Sequence, residues 1–156
     1  MKRIAPLFAL FLSAFGATPL LAQARAVSLT SDMFVERAVK GADGQTRVAL
    51  EKPKSVPPGA TLVFQLSYRN SGAAPATNFV INNPVPAPVA FESADKGAAV
   101  SVDGGRTFGA LPALRVRAPD GTQRPARADE VTHVRWTIPS IAPGGAGRVS
   151  FRGRVR

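Results

Sequence analysis

Residues 61–70, TLVFQLSYRN, alternate without a break. Leu62, Phe64, Leu66 and Tyr68 fall on one side, and Gln65, Ser67 and Arg69 on the other. A period of two marks a strand with one buried face. Such a face must be covered by a second layer. The same alternation recurs in short stretches along the chain. NFVINN (78–83) carries it on Phe79 and Ile81, and VRWTI (134–138) on Val134, Trp136 and Ile138. RVSFRGRVR (148–156) carries it on Val149, Phe151 and Val155. VSLTSDMFVERAV (27–39), TRVALEK (46–52), VAFESA (89–94), AAVSVD (98–103) and ALRVRA (113–118) are further strand candidates. Gly and Pro, 14 of each in 156 residues, separate them with turns. No stretch holds a 3.6-residue apolar stripe, and no internal repeat points to a propeller or solenoid. The pattern predicts an all-β antiparallel sandwich closing over Leu62, Phe64, Leu66, Phe79, Ile81, Trp136 and Phe151.

The chain has no cysteine. This excludes disulfides, thiolate metal sites, thiol catalysis and a lipid-modified N-terminal cysteine. With 45% hydrophobic residues, a domain of this length can rely on its core alone.

The first residues read as an address. Lys2 and Arg3 precede an apolar stretch from Ile4 to Phe15, and Ala22-Gln23-Ala24 offers small residues where a signal peptidase reads. Pro6, Gly16 and Pro19 interrupt a stretch already short of the ~20 apolar residues a membrane span needs. Cleavage after Ala24 is expected. Removing Lys2 and Arg3 from the 20 basic residues leaves 18 against 10 acidic ones, a formal charge of +8. No later stretch is long and apolar enough to cross a bilayer. The exported chain divides into an N-terminal strand or linker segment, 25–45, and a domain over 46–156. Its expected location is the periplasm, or secreted at the cell surface.

Residues 58–94, PGATLVFQLSYRNSGAAPATNFVINNPVPAPVAFESA, resemble the bacterial conserved-repeat domain, catalogued as domain of unknown function eleven. The matching positions are Pro58, Gly59, Leu62, Asn70, Gly72, Ala76, Asn78 and Pro86, with a weaker match over 134–155. The resemblance implies an immunoglobulin-like sandwich, here of about seven to nine strands, of a kind found on exported and surface proteins. It carries no activity. Where typical members place an aspartate before the proline that ends the second strand, this chain has Asn83, so an ion site there loses its ligand. Asn70-Ser71-Gly72 supplies residues that tolerate left-handed backbone, which would let the chain leave the strand sharply.

SVDGGRTF (101–108) resembles the Asp-box, a hairpin motif common in sialidase-like propellers. One copy in a chain too short for a propeller reads as a structural turn, with Asp103 accepting from turn amides. His133 stands on the outward side of a strand, without the spaced partners that a metal or general-base role needs. No EF-hand loop, Gly-x-Ser-x-Gly, His-Glu-x-x-His or phosphate-cradling loop occurs. The sequence therefore points to a protein that is not an enzyme and carries no cofactor.

The basic residues are mostly arginine. Arg115 and Arg117 alternate on one strand, Arg135 lies on another, and Arg148, Arg152 and Arg154 on the last. If the two closing strands pair, these six side chains could form one anion-binding face, because the planar guanidinium fork suits carboxylate and phosphate. Trp136 and Phe151 fall on the opposite, buried parity, which leaves nucleic acid without stacking partners. The expected function is an exported, non-catalytic structural or interaction module of the cell envelope that contacts another exported or envelope protein. The alternative is a binder of anionic envelope polymer, such as lipopolysaccharide headgroups or an acidic polysaccharide.

Overall fold

The computed structural model describes residues 26–156. The expected signal peptide lies outside the described residues. Ten strands run β1 (Val27–Lys40), β2 (Thr46–Glu51), β3 (Thr61–Asn70), β4 (Ala76–Pro84), β5 (Val89–Ala94), β6 (Ala99–Ser101), β7 (Arg115–Arg117), β8 (Gln123–Pro125), β9 (His133–Ile141) and β10 (Ala146–Val155). They form a five-stranded sheet, β2-β1-β3-β10-β5, a three-stranded sheet, β4-β9-β6, and the small hairpin β7-β8. Every pairing is antiparallel.

The two larger sheets close over one core. Leu62, Phe64 and Leu66 from β3, Val149 and Phe151 from β10, Val89 and Phe91 from β5 and Val35 from β1 supply one side. Ile81, Val134, Trp136 and Val100 supply the other. Phe79 packs against this cluster partly buried, so all seven residues expected in the core lie in it. Phe151 is fully buried, its ring stacked on Phe64 at 4.6 Å and 8°, with Phe91 at 6.4 Å. A smaller cluster of Val27, Ala76 and Ile141 seals one end.

Three differences from the sequence reading follow. First, the segment 25–45 takes the strand alternative and is not separate from the domain: β1 lies between β2 and β3 and brings Val35 into the main core. Second, β9 and β10 do not pair. The turn 142–145, with Gly144 at φ +72°, carries the chain from the smaller sheet to the larger. Third, Asn70 and Gly72 do not adopt positive φ; Asn78 does, at φ 51°. Asn70 works through its side chain. Nδ2 donates to the carbonyls of Ala74 and Ile141, each at 2.9 Å, and Oδ1 accepts from the Gly72 amide at 2.9 Å. The fully buried amide thus ties the end of β3 to the β3–β4 loop and to the end of β9. Gly72 is small because a Cβ there would lie 2.8 Å from that of Ala26 and 3.1 Å from Asn70 Oδ1.

Asn78 marks a kink. Between the Thr77–Ser140 and Phe79–Ile138 pairs of β4 and β9 sit Asn78 and Pro139. On either side of them the core-facing positions change parity, from Ala76 to Phe79 and Ile81 on β4 and from Ile141 to Ile138 and Trp136 on β9. A proline has no amide to give a ladder, and an asparagine tolerates left-handed backbone, so the two share the irregularity.

Candidate binding face

The expected arginine face divides when its side chains are followed one by one. Arg115 and Arg117 belong to the separate β7–β8 hairpin. Arg115 donates to the carbonyls of Pro112 and Leu114, and Arg117 to that of Gly121. Arg135 lies on the three-stranded sheet with its guanidinium 3.5 Å above the Phe108 ring. Arg148, Arg152 and Arg154 do share the outward side of β10, as their alternation predicts. Arg152 is held by Glu36 of β1 at 2.7 Å and Arg154 by Glu92 of β5 at 2.6 Å. The six side chains therefore do not converge, because β9 and β10 belong to opposite sheets.

The loop 101–108 uses its polar groups internally. The Asp103 carboxylate accepts from the Ser101 and Thr107 hydroxyls and from the amides of Arg106 and Thr107. The Thr107 hydroxyl, then its amide and the Ser101 hydroxyl, hold the Asp103 pKa well below the usual carboxylate range. Gly104 and Gly105 supply the positive φ of the turn. His133 packs its ring over Gly105, and its Nδ1 lies 3.2 Å from the Thr132 hydroxyl. Glu130 is drawn down to about 2, first by the hydrogen-bonded Arg124 guanidinium and then by the Arg127 amide. That pair clips β8 to the turn before β9. Among the described residues no three His, Asp or Glu side chains converge as metal ligands would.

What remains is the outward face of β1, β3 and β10. Rows across the sheet read Ser28–Arg69–Ala146, then Thr30–Ser67–Arg148, then Asp32–Gln65–Ser150. The first two rows, with Gln65, Tyr68 and Gly147, line an open groove of about 600 Å³. Arg69 and Arg148 are exposed, and neither side chain contacts a carboxylate among the described residues. They are diagonal neighbours on adjacent strands, which sets them ~7–8 Å apart with their Cβ atoms somewhat closer. The acidic groups at the third row are occupied: Asp32 faces Lys52 at 3.7 Å, and Asp95, just after β5, accepts from the Ser150 amide at 2.7 Å and from its hydroxyl. Arg69 is not among the six expected arginines, although its outward parity is plain from TLVFQLSYRN. The missing signal was that β3, not β9, is the neighbour of β10.

Comparisons of the chain with family models, with curated proteins and with solved structures find no match.

Proposed function

We propose that this chain is an exported, non-catalytic structural or interaction module of the bacterial cell envelope. The observation that carries the reading is the groove on the outer face of the five-stranded sheet. It is open, floored by paired strands, and lined by hydroxyl, amide and guanidinium groups with Tyr68, Ala146 and Gly147 among them. That is a surface for contact rather than a pocket that encloses a reacting centre. Two of the acidic residues, Asp103 and Glu130, are engaged within their own turns, the first by its own loop and the second by Arg124. The secretory pattern of residues 1–24 and the resemblance of residues 58–94 to the conserved-repeat domain support the envelope location. Cell fractionation with an antibody to the chain tests this, followed by cross-linking in intact cells. Recovery in the cytoplasm with residues 1–24 still attached would refute the export. Recovery in the envelope fraction with no cross-linked species would refute the module.

A second reading is favoured by one specific feature. Among the described residues Arg69 and Arg148 stand side by side without acidic partners, whereas Arg37, Arg47, Arg152 and Arg154 on the same sheet each have one. Two unneutralised guanidiniums on a polar floor suit an anionic envelope polymer, lipopolysaccharide or acidic polysaccharide. Retention on an anionic resin should fall steeply with salt, since exposed charges are screened over ~10 Å at 0.1 M ionic strength. Equal retention by neutral and anionic resins at low salt would end this reading.

A further inference from the structure

The chemistry of the groove narrows the ligand beyond a general anion. Ser28, Thr30, Gln65 and Ser67 present hydroxyl and amide groups beside the two arginines, and Ala146 is the remaining outward position of the two rows. Such groups both donate and accept, as sugar hydroxyls require. Protein partners are anchored by aromatic or aliphatic side chains in a desolvated pocket; the one aromatic lining the groove, Tyr68, packs partly buried against the core and lies against Gly147. Single-stranded nucleic acid needs a series of aromatic faces for successive bases, and Tyr68 alone does not supply one. The rows cross three strands and the groove is open, so a chain can lie along it rather than end in it.

We propose that the outward face of β1, β3 and β10 binds a linear acidic polysaccharide. Arg69 and Arg148 receive carboxylates on the chain, and Ser28, Thr30, Gln65 and Ser67 bond to the neighbouring hydroxyls along it. This rests on the second reading above and adds to it the site and the ligand class. The paired strands fix the spacing of the two arginine Cα atoms, and the long side chains reach from there to the acidic groups of the ligand. A polymer with an acidic group on every ring meets both of them, and a neutral polymer meets neither.

The test uses polygalacturonate, dextran and lipopolysaccharide vesicles as probes, with binding read by isothermal titration at low salt. The expected result is binding to polygalacturonate and none to dextran. The R69Q/R148Q double variant should lose about a hundredfold or more in affinity, because a hydrogen bond to a charged group contributes about tenfold. R115Q/R117Q, on the separate hairpin, should bind as the parent does. Far-ultraviolet circular dichroism and melting of each variant confirm that these exposed substitutions leave the fold intact. Equal binding of polygalacturonate by the parent and by R69Q/R148Q would overturn the site while the anionic reading stood. Binding to the vesicles without binding to polygalacturonate would overturn the ligand class. Binding to neither would overturn the site and the anionic reading together.

Discussion

Replacing Asn70 tests how the sandwich is locked at the end where β3, β4 and β9 meet. The side chain is fully buried and makes three hydrogen bonds of 2.9 Å, to Ala74 O, Ile141 O and the Gly72 amide. Asn70→Ala leaves all three partners without it. The bond to Ile141 is buried and the other two are partly so. A buried group left unsatisfied costs about 1–3 kcal/mol, and a partly wetted one less. The sum is about 3 kcal/mol, or a fall in Tm on the order of 10 °C for a domain of this size. Asn70→Asp is the sharper perturbation. It keeps the shape and still accepts from Gly72, but it aims a carboxylate at two carbonyl oxygens. The pKa of that Asp should therefore be raised in the fold. A raised carboxylate pKa means the folded state holds a proton that the unfolded chain has released, so the variant gains stability relative to the parent as pH falls. Urea unfolding of parent, N70A and N70D at pH 7 and pH 5 measures this. The expected order at pH 7 is parent, then N70A, then N70D, with the gap between N70D and parent smaller at pH 5. A loss below about 1 kcal/mol for N70A, or a gap that widens in acid, would refute the reasoning.

Three other perturbations address the core, a close approach and an ion pair. Phe151→Ala removes a fully buried ring stacked on Phe64 and should cost about 3–5 kcal/mol by urea unfolding, with Phe151→Leu well below that. Gly153→Ala would press its Cβ to 2.9 Å from the Ala90 carbonyl oxygen and against Val89 Cγ1, beside the register shift between β10 and β5; a loss of about 1–3 kcal/mol is expected, and an unchanged midpoint would show that the bulge yields. Glu130, lowered from 4.5 to about 2, contributes stability that is complete above pH 4.5 and lost as pH falls toward 2. Melting curves of Glu130→Gln should therefore lose less Tm than the parent over that interval, and parallel slopes would remove Glu130 from the account.

The face of each strand was readable from alternation; the neighbour of each strand was not. β3 buries Leu62, Phe64 and Leu66 under a complete second layer, so its pattern is clean. β1 reads weakly because Leu29 and Met33, on its core-facing side, remain 45% and 39% exposed: the three-stranded sheet is too narrow to cover the five-stranded one throughout. The outward parity of the β10 arginines was equally plain. Their ion pairs reach 116 residues back to Glu36 and 62 back to Glu92, a distance that local pattern does not encode. A four-residue turn such as 142–145 serves a hairpin or a change of sheet, so the separation of β9 from β10 left no local mark. Asn70 shows the same limit at a single residue. A left-handed turn and a buried side-chain bridge both favour Asn, and only the fold distinguishes them.

The long first strand has a mechanical consequence. β1 pairs with β3 over Val27–Val35 and with β2 over Val35–Lys40, so the two ladders meet at one residue. Beyond it, residues 36–51 form a two-stranded arm that leaves the sandwich with Val48 and Leu50 in solvent. An isolated hairpin is marginally stable in water. Amide exchange and protease nicking will start on this arm and stop at Val35, where the core takes hold, so a graft at Gly41–Gly44 should travel with the domain without loosening it.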